Sequence, residues 1–468
     1  MVTVQLPVYN EKYVVGRLID GVVRLRYPLE RLEIQVLDDS TDETVQLAAA
    51  KVREHQARGY RITHLRRAAR EGFKAGALRE GLSQAKGEFV AVFDADYVPV
   101  PDFLLRTLPY FDDPRVGMVQ TRWEHSNRER SLLTRVLAFM LDAHLTIEQV
   151  GRSRQGCFFS FNGTAGVWRA ETIRDAGNWQ GRTLTEDLDL SFRAQLRGWR
   201  FLYLDEIMST ADLPEDIRSF RSQQFRWMKG VAENASLLFP RILGSQLPPR
   251  VKLHACYQLL QTSLYLPALA LVILTFPFVA VEYSHLGLAG IVLNAIFMAG
   301  GIGLALVYVP PQRERLTGIS GALEFLSLWF SFSMVTAGLA VHNGLAALSG
   351  LLGYRSEFVR TPKGLPQPGV TSPPANVYLP RGMDHTAALE VLVWVYLAAG
   401  LLWGFSRGEF AFHYLPAMAF AGLSYLLAKS VKYALVQESV ARRLPAASKS
   451  SASPAEAPKN ISSLQPEA

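Results

Sequence analysis

The sequence predicts an α/β domain followed by a helical membrane region, and three observations carry that prediction. Short apolar runs alternate with helical stretches through the first half of the chain. That order builds a largely parallel sheet with helices on both faces. Polar and acidic residues stand where the predicted strands end, the edge at which an α/β sheet binds its ligands. From Ala255 to Ala434 long apolar runs then replace the charge.

The 468 residues, 49% of them hydrophobic, suffice for two domains. Cys157 and Cys256 are the only cysteines and form no C-x-x-C, which argues against a disulfide framework and a zinc site. The formal net charge is +7, but Lys and Arg are dispersed and several flank the apolar runs. The charge therefore points to membrane topology rather than to nucleic acid. No signal-peptide pattern precedes the first predicted strand.

Val2 to Val8 reads as that strand, with Pro7 turning it into the loop Tyr9-Asn10-Glu11, and a helix follows to about Arg24. Leu32 to Leu37 is a second strand ending in Asp38-Asp39. Ser40-Thr41-Asp42-Glu43 reads as a capping box opening a helix to Arg58, with Gly59 as its stop. Arg61 to Leu65 is a third strand, and Phe73 to Ala85 a helix.

The fourth strand, Phe89 to Phe93, ends in Asp94-Ala95-Asp96. On an extended backbone residues i and i+2 point the same way, so both carboxylates are expected on one side. Two convergent carboxylates are costly to hold without a cation. A hard divalent ion that also binds substrate phosphates suits such oxygen ligands. The absence of G-x-G-x-x-G and of G-x-x-x-x-G-K-[ST] argues against a dinucleotide oxidoreductase and a P-loop NTPase.

Thr185 is a predicted N-cap for a helix that Gly198 stops, and Glu186 and Asp187 occupy its first turn. There the helix dipole is expected to keep Asp187 ionised, as a general base requires. Within Ile217 to Phe239, Gln223, Arg226 and Trp227 share one helical face. Arginine can clamp a diphosphate, and tryptophan offers a flat surface to a sugar ring.

A helix crossing a ~30 Å hydrocarbon core needs about 20 apolar residues. Cys256 to Val281, Leu286 to Val309, Ala387 to Phe405 and Phe410 to Leu427 meet that need. Phe325 to Leu352 is also apolar. A single crossing there would put Arg355, Arg360, Lys363 and Arg381 outside, so it is expected to be interfacial or re-entrant. The expected units are 1–245, 246–440 and a tail, 441–468, disordered by composition.

The ordered motifs PVYNE (7–11), DDS (38–40), FKAG (73–76), DAD (94–96), FNGT (161–164), TED (185–187) and QQFRW (223–227) resemble those of family 2 glycosyltransferases. The closer resemblance is to the cellulose synthase and cellulose-synthase-like group, which includes mannan and glucan synthases. It implies a GT-A type cytosolic nucleotide-sugar domain followed by an α-helical transmembrane domain. It further implies that Tyr9, Glu11, Asp39, Lys74, Asp94, Gln223 and Arg226 bind the nucleotide-sugar. Asp96 would bind Mg²⁺ or Mn²⁺, and Asp187 would be the base. Gly163, Thr164, Glu186 and Trp227 would meet the acceptor.

Glu357 to Gly364 resembles the gating loop of cellulose synthases, implying roles for Phe358, Thr361 and Lys363. Two departures stand out. Arg360 occupies a position usually held by valine, and no transmembrane helix, common in the family at this point, precedes Val2. The activity implied is processive, inverting β-glycosyl transfer from UDP-glucose or GDP-mannose to a growing polysaccharide. It is coupled to translocation by a multi-pass protein of the plasma membrane, with the lipid bilayer and no nucleic acid as partner. The alternative is single transfer to a lipid acceptor, as in ceramide glucosyltransferases.

Overall fold

A computed structural model describes residues 1–280, 287–354, 356, 386–407 and 414–443. Strand β1 (Val2–Val8) pairs in parallel with β2 (Leu32–Asp38) and with β4 (Phe89–Val92). Beyond β2 lies β3 (Ile62–Leu65), also parallel. On the other side β6 (Gly166–Arg169) runs antiparallel between β4 and β5 (Val116–His125). The parallel strand β7 (Arg200–Ala211) closes that edge, giving the order β3-β2-β1-β4-β6-β5-β7. The largely parallel sheet is present, with one reversed strand.

Alternation along β1 explains the two layers. Val2, Val4, Leu6 and Val8 pack on one face with Leu18 and Ile19 of α1 (Val15–Val22) and with Ala48 and Val52 of α2 (Thr44–Ala57). Gln5 points the other way, and its Nε2 donates to Gln35 Oε1 at 3.0 Å. Helix α3 (Phe73–Gln84) lies flat on that pair because position 81 is glycine. A Cβ there would come within 2.6 Å of Gln5 Nε2. The second core, around Trp168, Trp179 and Leu190, continues on this face.

The helix stops follow their local signals, and one helix start does not. Gly59 and Gly198 adopt φ of +88° and +93° just past their helices, a conformation costly for other residues. The expected capping box at Ser40 and Glu43 does not form. Helix α2 starts at Thr44, whose N–H donates to Asp42 Oδ1 at 3.0 Å. Ser40 Oγ instead accepts from Asn10 N at 2.8 Å, tying the β2 edge to the β1 loop.

Among the described residues, Pro249–Pro277, Gly318–Gly338 and Ala387–Ser406 are long and apolar enough to cross a membrane. Helices Gly287–Tyr308 and Tyr414–Arg443 underlie the other two expected spans. Phe325–Leu352, expected to be interfacial or re-entrant, is not one continuous element, and its first part belongs to a helix long and apolar enough to cross a membrane. The chain divides at Leu339 into the helix Gly318–Gly338 and the helix Ala340–Leu351. The first packs backbone to backbone on the Tyr414–Arg443 helix: a Cβ on Gly338 would lie 2.4 Å from the Gly422 carbonyl carbon. The second buries His342 and Asn343 and turns toward the helix Ile217–Leu243.

Candidate active site

The DAD segment departs from its expected geometry. Extended backbone ends at Val92, and Ala95-Asp96 form a turn in which Tyr97 N donates to Asp94 O at 3.0 Å. The aspartates therefore do not line up as strand neighbours. The turn keeps Asp96 buried and leaves Asp94 partly open to solvent.

Lys74, at the start of α3, holds the centre of the site. Its Nζ lies 2.6 Å from Asp94 Oδ1, donates to Gly163 O at 2.8 Å and stands 3.9 Å from Glu186 Oε1. Burial would lower the Lys74 pKa, but Asp94 and Glu186 outweigh it and hold the ammonium above its ordinary value. Asp94 N donates to Thr164 Oγ1 at 2.9 Å, so FNGT and DAD brace each other. Gly163 has φ +82°, and a Cβ there would meet Asp187 Oδ2 at 2.9 Å. Glycine is required both for the turn and for the approach of Asp187.

Asp187 corrects a second expectation. It sits in the first turn of the helix Glu186–Leu196, yet burial and the neighbouring Glu186 push its carboxyl up to about 7. The opposing pull of Lys74, the Leu188 N–H and Arg226 is weaker. A helix dipole is worth at most about 2 kcal/mol to a first-turn carboxylate, and here burial together with Glu186 outweighs it. Thr185 occupies the N-cap position but its side chain makes no cap bond.

Tyr9, Glu11 and Asp39 form a second group at the ends of β1 and β2. Glu11 is buried and its carbonyl accepts from Val14 N and Val15 N, starting α1. Asp39 is forked by Arg67, Nε at 2.9 Å and Nη2 at 2.5 Å, while Arg67 also reaches the carbonyls of Glu71 and Phe73. Asp38 lies 2.8 Å from His64 Nε2 and accepts from Ser40 N. Burial would raise its pKa, but these bonds hold it below the ordinary value. The Arg70 guanidinium stacks 3.4 Å above the Tyr9 ring. His64, Arg67 and Arg70 went unread in the sequence because no motif or spacing marks them.

Gln223, Arg226 and Trp227 lie on the helix Ile217–Leu243, as expected, and all three are half-buried. Trp227 packs against a cluster containing Leu145, Tyr308 and Phe332, which joins the two halves of the chain. Phe358, Thr361 and Lys363, and the tail from 444 onward, lie outside the described residues.

No group of three or more His, Cys, Asp or Glu suited to a metal occurs among the described residues. The described residues therefore build no all-protein cage. Asp96 and Asp94 supply only hard carboxylate oxygen, the donor set by which Mg²⁺ or Mn²⁺ is held together with substrate phosphates. The residues fit that ion.

Residues 1–230 match the family described as Glycosyltransferase like family 2. Probable glucomannan 4-beta-mannosyltransferase 2 of Oryza sativa subsp. japonica is 38% identical over 359 residues, 75% of this chain and 60% of that protein. The chain thus spans less than two thirds of that relative's length. Glucomannan 4-beta-mannosyltransferase 1 of Cyamopsis tetragonoloba is 34% identical over 85% of this chain and 75% of its own length. The mannosyltransferase PcManGT from Pyrobaculum calidifontis, solved in complex with GDP-Man and Mn2+, shares the fold. Its TM-score is 0.50 and its identity 22%, over 76% of this chain and 88% of that one.

Proposed function

The chain belongs to the family 2 glycosyltransferases, in their cellulose synthase-like group, and on that premise we propose that it transfers mannosyl units from GDP-mannose to a growing β-linked polysaccharide at a membrane. The observation that carries this reading is the convergence of Lys74 and Asp187 on Gly163, with Asp94 paired to the same Lys74 ammonium. It joins a fixed cation for a diphosphate to a desolvated carboxylate for an acceptor proton. The relatives' named activity and the GDP-Man bound by PcManGT favour GDP-mannose over UDP-glucose, and a polysaccharide over a lipid acceptor.

In this reading Asp187 takes the proton from the acceptor hydroxyl as that oxygen attacks the anomeric carbon. A carboxyl poised near 7 is matched to such work at neutral pH. Lys74 and Arg226 stand where the leaving diphosphate develops charge, and Trp227 offers its ring to the acceptor sugar. A divalent cation held by Asp96, with Asp94 beside it, would neutralise the departing diphosphate. One displacement with one base inverts the anomeric centre, giving a β-linkage from an α-linked donor.

Tyr9, Glu11, Asp39 and Gln223 complete the donor site in this proposal, and Gly163, Thr164 and Glu186 the acceptor side. Processive extension coupled to translocation, with residues 1–245 cytosolic and 246–440 in and along the plasma membrane, belongs to the same proposal. Membranes bearing the chain are incubated with labelled GDP-mannose or UDP-glucose, and the product is sized and digested with β-mannanase. The expected product is a long β-mannanase-sensitive polymer made from GDP-mannose. A single sugar added to lipid, or incorporation from UDP-glucose alone, overturns the reading.

A further inference from the structure

We infer that Asn234 and Glu233, on the same helix as Gln223, Arg226 and Trp227, are positioning residues that hold the turn carrying Asp187 in its reactive place. The inference rests on the reading of Asp187 as the base. The helix Glu186–Leu196 does not cap itself: Thr185 at its N-cap gives no side-chain bond to its own first turn. The Thr185 hydroxyl and carbonyl both accept from Asn234 Nδ2, at 3.0 and 3.2 Å. The same amide reaches Thr183 Oγ1 at 3.2 Å.

One residue earlier, Glu233 Oε2 accepts from Leu184 N at 2.8 Å. Its other oxygen stands 3.8 Å from the ammonium of Lys229, which is fully buried and also donates to Tyr354 O and Ser356 Oγ. Gly230 lets the two helices touch, since a Cβ there would lie 2.6 Å from Thr185 Cγ2. The Leu184 N–H and the Thr185 side chain are thus held from the Ile217–Leu243 helix, which also shares the Thr185 carbonyl with Asp189 N and Thr183 Oγ1. Asp187 follows two residues later. Displacing a reacting group by about 1 Å can cost on the order of 100-fold in rate.

Asn234→Ala and Glu233→Ala in the full chain test this by mannosyl transfer, mant-GDP affinity and the pH–rate profile. The groups facing Asp187 are Glu186, Lys74, Arg226 and the Gly163 backbone. The expected result is a kcat lower by roughly 10- to 100-fold with mant-GDP affinity within about twofold. The acid limb should move below its wild-type position, because a loosened turn lets water reach the carboxyl. Glu233→Gln keeps an acceptor for Leu184 N–H and is expected to restore kcat to within a few-fold. Where Asn234→Ala does not fold, Thr185→Val, isosteric but lacking the hydroxyl, carries the same comparison. An unchanged kcat, or a kcat that falls in step with mant-GDP affinity at an unmoved acid limb, overturns the inference. Asp187→Asn separates the two levels: full activity there removes the base itself. An inactive Asp187→Asn beside an unaltered Asn234→Ala profile removes only the positioning role.

Discussion

Arg226 and Arg221 sit on one helix, five residues apart, and the two halves of the molecule use them differently. Arg226 faces the sheet edge and acts on Asp187. Arg221 is buried against the helical half, forking Glu390 at 2.9 and 2.6 Å and donating to Thr386 Oγ1 at 2.9 Å. His342 adds to this joint through Nε2, 3.0 Å from Arg221 O. At the sheet edge the proposed function gathers charge for a ligand, Lys74 with Asp94. In the helical half, the same chemistry locks a membrane-type helix, Ala387–Ser406, to the catalytic domain. Residue type therefore does not separate a ligand site from a joint. The distinction lies in whether the partner is reachable from solvent, as Asp94 is and Glu390 is not.

The comparison breaks first at Asp187. Asp187→Asn should cut mannosyl transfer by about 100- to 10,000-fold while mant-GDP binding persists, since an amide cannot accept the proton. In the wild type, transfer should be lost as pH falls through about 7, because the raised carboxyl takes up a proton there and no longer serves as base. A pH–rate profile flat from 5 to 8 would separate Asp187 from the chemistry.

Asp96→Ala should lower transfer by about 100-fold or more, the effect of losing several kcal/mol of charge stabilisation. It should also abolish the Mn²⁺ signal of the bound ion in electron paramagnetic resonance. Full Mn²⁺ binding by the variant would move the metal elsewhere. Arg221→Ala tests the joint. Leaving Glu390 buried and unpaired should cost about 3–5 kcal/mol in thermal or denaturant unfolding. The double variant Arg221→Met, Glu390→Leu should recover most of that loss. Loss of transfer at unchanged stability would instead assign Arg221 to the ligand site. The smallest effect is expected at an exposed pair of the α/β half. The Arg58–Glu54 pair at 2.6 Å is exposed, and Arg58→Gln should leave the denaturant-unfolding midpoint within error of the wild type.

The sequence by itself determined the first four strands, the helix stops at Gly59 and Gly198, and the candidate residues Lys74, Asp94 and Asp187. Their signals are local: apolar runs, glycine conformation and motif spacing each lie within a few neighbouring residues. Tertiary structure alone decided the insertion of β6 between β4 and β5, a four-residue strand whose partners lie far off in sequence. It decided that Ser40 serves Asn10 rather than its own helix, and that Phe325–Leu352 divides at Leu339. It also decided that the Asp187 carboxyl is raised rather than lowered, because burial and the neighbouring Glu186 outweigh the dipole that the sequence position implied. The Lys74 bond to Gly163 spans 89 residues and the Arg221 pair with Glu390 spans 169. Burial and pairing over such separations exist only once the chain has folded, and no periodicity or cap records them.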